Sequence, residues 1–153
     1  MTRITRRQFH TSMLGAAAAA TLPSFAGANT TPVLRAREGR ARLAPSEYPE
    51  TEIWGYDGTV PGPVLRARQS ERISRRFQND LPQASSVHWH GIRIENGMDG
   101  VAGLTQAPVE PGEEFLYDFA LPDAGTFWYH PHNRTYEQMA RGLYGALIVD
   151  EKT

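Results

Sequence analysis

The sequence predicts an all-β domain, a sandwich or barrel of short strands, on two observations. From Thr51 onward, β-prone runs of a few residues recur at short spacing, separated by turns containing Gly and Pro, as in a sandwich or barrel. Helical periodicity is almost absent. Only Arg134–Arg141 hints at a helical turn, and no heptad or internal repeat is present. At 153 residues the chain holds one domain with a real core and not comfortably two.

In chain order, residues 29–50 are rich in Pro, Arg and Ala with little periodicity. They read as an N-terminal arm with one short strand near Val33-Leu34-Arg35. The domain proper is placed at 51–153. Its first run is Glu52-Ile53-Trp54-Gly55-Tyr56, closed by Asp57-Gly58 and Pro61-Gly62-Pro63. Val64-Leu65-Arg66-Ala67 and Glu71–Asn79 follow. In the latter, Ile73, Arg75 and Phe77 share one face, so the alternation is imperfect. Arg66 and Arg68, like Arg75 and Arg76, read as solvated strand faces. The remaining runs are Ser86–His90, Glu114–Phe119, Gly125–His130 and Leu143–Val149. Within them, Phe127, Trp128 and Tyr129 read as core aromatics rather than electron-relay groups.

Residues 1–28 read as an address. Arg3, Arg6 and Arg7 form a charged n-region, an alanine-rich stretch follows, and Ala26-Gly27-Ala28 offers a cleavage site. The apolar stretch is too short and alanine-rich for a stable membrane span. Thr5-Arg6-Arg7-Gln8-Phe9 resembles the twin-arginine export signal. The expectation is a protein exported by that route, cleaved after Ala28 and periplasmic.

Charge and cysteine content narrow the chemistry. The net charge is -1, and residues 1–28 hold three arginines and no acid, which leaves the rest at -4. That balance argues against nucleic acid as a partner. With no cysteine, disulfides, thiolate ligands and a cysteine nucleophile are excluded in this chain. Of five histidines, His10 lies in the export segment. The other four form two pairs, His88-Trp89-His90 and His130-Pro131-His132.

Residues i and i+2 of a strand point to the same face. His88 and His90 therefore project together while Trp89 turns toward packing. His130 and His132 do the same, with Pro131 fixing the backbone between them. Because proline has no N–H, His132 falls at a strand end or edge. Imidazole suits copper, zinc, iron and nickel. Four imidazoles could make one four-histidine site, or half of a larger cluster; spacing does not choose between them.

At these residues the chain resembles the multicopper oxidases, the family of laccases, cuprous oxidases and ferroxidases. The resemblance runs from about Trp54 to Asp150. It is carried by Gly58-Thr59-Val60-Pro61-Gly62-Pro63, Val87-His88-Trp89-His90-Gly91, Met98-Asp99-Gly100-Val101 with Leu104-Thr105-Gln106, Gly125–His132, and Arg141–Val149. It implies a cupredoxin-like Greek-key β-sandwich, the N-terminal domain of such an oxidase, with copper as cofactor. The histidine matching His88 binds the type 2 copper, those matching His90 and His130 share one type 3 copper, and the one matching His132 binds the other. Asp99 matches an acid that helps deliver protons during O2 reduction. A carboxylate beside bound water and cationic copper suits such a relay. Met-Asp-Gly is equally a plain turn. Gly91 leaves room beside the type 2 site or is a turn glycine.

The sequence also departs from the family pattern. The resemblance calls for four more trinuclear histidines from a later cupredoxin domain and a type 1 copper held by a cysteine. Alone, then, the chain is not expected to oxidise phenols or metal ions by the usual route. Gln69-Ser70-Glu71 stands where the family often has a Gly-Asp turn. Three readings fit a chain ending at Thr153. It is part of an oxidase with the C-terminal cupredoxin domain in cis, a small subunit that completes its cluster against a partner chain in trans, or a free-standing periplasmic copper-binding or structural domain. The first is favoured, since cupredoxin relatives that lose copper usually lose the histidines too.

Overall fold

Strand pairing in the computed structural model, which describes residues 31–152, gives two four-stranded sheets. The strands are β1 (Val33–Ala41), β2 (Thr51–Tyr56), β3 (Leu65–Arg68), β4 (Arg72–Asp80), β5 (His88–His90), β6 (Glu114–Ala120), β7 (Gly125–His130) and β8 (Gly145–Asp150). One sheet runs β2-β1-β4-β6 and the other β3-β8-β7-β5. From β2 to β7 each successive strand changes sheet, the cross-sheet connectivity of a Greek-key sandwich. Helix is confined to a 3-10 turn, Asn96–Met98, and one short helix, α1 (Thr135–Gln138), inside the stretch expected to turn helically. Residues 1–28, read above as an export signal, lie outside the described residues. Among those described, no helix is long and apolar enough to cross a membrane.

The core is aromatic. Trp89, Tyr117, Phe119, Tyr129, Tyr56 and Phe77 are fully buried. Trp89 spans the two sheets: its ring lies 5.0 Å from Phe119 and 5.6 Å from Tyr117 on β6, and 5.7 Å from Tyr129 on β7. These tilted and edge contacts suit the aromatic quadrupole. Trp89 thus faces packing, as the alternation around it predicts.

Three local expectations change. The segment set aside as an arm carries β1, nine residues long and interior to its sheet. It pairs antiparallel with β2 over Ala36–Ala41 and parallel with β4 over Val33–Arg37. Leu34 and Ala36 point inward with Arg35 between them, a short period-2 alternation that lapses at Glu38-Gly39. The folded unit therefore begins near residue 31 instead of 51. Arg75 is the second change. It sits half-buried between Ile73 and Phe77 on the inward face, and burial lowers its guanidinium from the ordinary value. Arg66, Arg68 and Arg76 do face solvent. The third is the β3–β4 turn, where Ser70 adopts φ 74°, a left-handed conformation that favours glycine. The family's usual glycine at this turn has a steric reason.

Two outcomes follow for stability, both read by urea denaturation. Trp89→Ala costs about 3–5 kcal/mol, whereas Trp89→Phe costs distinctly less, because the buried indole N–H has no hydrogen-bond partner to lose. Ser70→Gly raises stability by up to about 1 kcal/mol by relieving the left-handed backbone.

Candidate metal centre

Pairing of β5 with β7 builds the centre. The register sets His88 opposite His130, Trp89 opposite Tyr129 and His90 opposite Trp128. Alternation then sends Trp89 and Tyr129 into the core and the histidines to the other face. Strand β7 ends at His130, so His132 lies just beyond it, where Pro131 can no longer continue the ladder. The His132 ring still lies 6.4 Å from the His130 ring, with planes 28° apart. The His88 ring stands edge-on to the other three, at 5.4 Å from His90 and 5.3 Å from both His130 and His132.

Hydrogen bonds fix which nitrogen each ring offers. His88 Nδ1–H donates to the Asp99 carbonyl at 2.7 Å, leaving Nε2 with its lone pair. His130 Nδ1–H donates to the Pro131 carbonyl at 2.9 Å, again leaving Nε2 free. A carbonyl on the far nitrogen is the usual way to hold a metal-binding imidazole. His90 Nδ1 faces His130 Nε2 at 3.2 Å. Two nitrogens on one ion, each at about 2.0–2.1 Å, stand about 3.3 Å apart at a near-tetrahedral angle. One nitrogen each from His88, His90 and His130 lie within 4.8 Å of one another; His132 falls outside that group. These residues therefore fit a nitrogen-preferring ion such as copper.

Electrostatics keep the rings ready. Burial is the main force pushing His130 down to about 4, and the three neighbouring histidines add to it against its bond to Pro131. At neutral pH its lone pair is available. Asp99 holds its carboxylate 3.5 Å from His88 Nδ1, part-exposed, while its carbonyl makes the shorter contact. Gly100 makes this approach possible. Its φ is 76°, and a Cβ there would overlap the Val87 carbonyl oxygen at the entry to β5. Gly91 also has positive φ, with only Phe127 near its missing Cβ.

A buried polar network that the sequence does not advertise locks the two histidine segments together. Gln138 of α1 is fully buried. It accepts from Ser85 Oγ at 2.8 Å and donates to the Ala84 carbonyl at 2.8 Å and to Gln83 Oε1 at 3.1 Å. Asn133 Nδ2 donates to the same Ala84 carbonyl, and the His132 N–H donates to Ser86 Oγ at 3.1 Å. The Tyr117 hydroxyl takes the Val87 N–H at 2.9 Å and donates to Gln106. The entry to one histidine pair is thus tied to the exit from the other.

Comparison with known proteins decides the family. The multicopper oxidase profile matches residues 35–153. The chain belongs to the multicopper oxidase family. It is 43% identical over 96 residues to copper resistance protein A of Pseudomonas syringae pv. tomato, covering 63% of this chain and 15% of that protein. A multicopper oxidase structure from Pseudomonas thermotolerans superposes with a TM-score of 0.75 at 45% identity, over 79% of this chain and 29% of that one. Lac15 from a marine microbial metagenome gives 0.76 at 56% identity, over 80% and 33%. The chain spans a minor part of the length of each, and its fold is that of a cupredoxin-like multicopper oxidase domain.

Within this multicopper oxidase domain one aromatic moves. Tyr129 lies in the core and Phe127 packs against it, as expected. Trp128 does not. As the residue two before His130, it shares the histidine face.

Two outcomes test the geometry. Gly100→Ala forces a left-handed backbone costing about 1–3 kcal/mol and pushes the Asp99 carbonyl away. Thermal unfolding falls, and the His88 Nδ1–H resonance loses its protection. In the metal-free protein, imidazole NMR places the His130 titration near pH 4. Since that value lies below the unfolded one, the unfolded chain binds more protons between the two. Stability therefore declines as pH falls from about 6.5 toward 4.

Proposed function

We propose that this domain supplies half the ligands of a trinuclear, O2-reducing copper site, with His88 on the type 2 copper, His90 and His130 sharing one type 3 copper, and His132 on the other. The observation that carries the reading is the 3.2 Å approach of His90 Nδ1 to His130 Nε2, two rings on different strands aimed at one point. A second cupredoxin domain, in cis or on a partner chain, brings the remaining ligands. The small share of each relative that this chain spans supports such an addition.

Copper held here supplies the one-electron steps that join substrate oxidation to the four-electron reduction of O2 to water. The chain's own residues do the rest. Asp99 and Pro131 present His88 and His130 through fixed tautomers. The Asp99 carboxylate, part-exposed at the edge of the cluster and 3.5 Å from His88 Nδ1, would hold and deliver protons beside copper bound there. The export segment supports delivery to the periplasm by the twin-arginine route.

Copper titration of the chain with three single variants and one lacking all four histidines tests the assignment. His90→Ala and His130→Ala lose the same equivalent of copper, because each removes one of two ligands to one ion. His132→Ala leaves that equivalent bound. A variant lacking all four histidines that binds copper as tightly as the parent sinks the reading. The copper-loaded chain alone oxidises no phenol, having no cysteine for a type 1 site.

A further inference from the structure

Trp128 is held out of the core by the register that sets it opposite His90 on the outer face of β7. Its ring lies 4.1 Å from the His130 ring with planes 31° apart, and 4.9 Å from the His90 ring with planes 35° apart. The two histidine rings themselves are 5.4 Å apart and tilted by 41°. One indole therefore packs against both rings whose nitrogens meet at 3.2 Å. Beyond it opens a mostly apolar pocket of about 430 Å³ shared with Tyr136, Met139 and Tyr144.

We infer that Trp128 is a positioning residue, an apolar plate that holds His90 and His130 at the spacing of two ligands on one copper ion. The inference rests on the copper reading above and deepens it. The physical need is specific. His130 has its orientation set by the Pro131 carbonyl, but the His90 ring has no such acceptor: among the described residues its hydrogen-bond partner is His130 itself. His90 is also exposed at a strand end, where an imidazole turns freely about χ2. When a metal takes the shared nitrogens, the contact between the two rings is no longer a hydrogen bond, and lone pair faces lone pair. A shared stacking surface keeps both planes in place through that change. Being apolar, it competes neither as a ligand nor as a hydrogen-bond partner. The preference of aromatic rings for tilted, offset packing supplies the directional force.

The full-length chain carrying Trp128→Phe or Trp128→Leu decides the matter, with copper ion alone as the probe. Phenylalanine keeps a plate and leucine keeps only apolar bulk. The expectation is that Trp128→Leu weakens copper binding roughly 10–100-fold, the range for groups that orient metal ligands. Trp128→Phe recovers most of the affinity. Metal-free unfolding temperatures of the two variants stay alike, since neither touches the core. Imidazole ¹H–¹⁵N spectra without metal give a second reading: His90 shows one tautomer in the parent and in Trp128→Phe and mixed tautomers in Trp128→Leu, while His130 keeps the tautomer set by its bond to Pro131. Equal copper affinity in Trp128→Leu and the parent overturns the inference. So do equal losses in both variants, or unchanged ring spectra in Trp128→Leu. If the parent binds no copper, the copper reading fails, and the metal-free spectra still decide whether Trp128 orders the rings.

Discussion

Everything at the centre depends on one antiparallel pairing, β5 against β7. A strand pair has two faces, and here they carry opposite duties. Trp89 and Tyr129 meet on one face, fully buried, and hold the two sheets together. His88, His130, His90 and Trp128 meet on the other. A slip of one residue would exchange the faces, burying imidazoles and exposing indole. The core therefore enforces the geometry of the histidines on these two strands. Aromatic bulk on the inner face makes any other register costly, and the outer face is positioned as a consequence. Gly145 serves the same pairing: a side chain there would overlap the Tyr129 ring, whose hydroxyl instead reaches the Pro63 carbonyl at 2.6 Å.

Three residues of β5 make a short strand, and short strands fray. The polar network around Gln138 answers that weakness. It fastens the segment before His88 to the segment after His130, while Tyr117 takes up the Val87 N–H. A buried glutamine with every polar atom used specifies one arrangement, since any shift strands a polar group away from water. Apolar packing would be indifferent to shifts of that size. The network and the aromatic core thus divide the work: the core chooses the register, and the network fixes the ends of the strands that carry the ligands.

Much of this was legible in the sequence because its signals are local. Period-2 alternation around Trp89 forecasts both its burial and the shared face of His88 and His90. Turn residues mark most strand boundaries. What escaped is what needs a partner to be seen. β1 alternates leucine and alanine with arginine for only a few residues, and its full length shows only in the pairing with β2 and β4. Arg75 looks solvated until Ile73 and Phe77 are seen to carry it inward. Gln138 has no sequence mark at all, because its partners lie more than fifty residues away. Trp128 was the recoverable miss. The i, i+2 rule that joins His88 to His90 also joins Trp128 to His130, and applying it at that position would have moved the indole to the histidine face.

The centre also shows how a protein holds ligand groups close together before any ion is present. Protonated imidazoles this close would repel one another. Burial favours the neutral ring at His130, pushing it down to about 4. The carbonyls of Asp99 and Pro131 each take one ring N–H, which assigns the lone pairs to the side where the rings converge. His90 then has its proton placed toward His130, so an ion held at Nδ1 would require the ring's other tautomer, with the proton on Nε2, and no rearrangement of the strand. Binding at that position would consequently be a tautomer change on a prearranged frame. The sandwich core carries the cost of prearrangement, because Trp89 and its neighbours contribute stability that no crowding of imidazoles on the opposite face can supply.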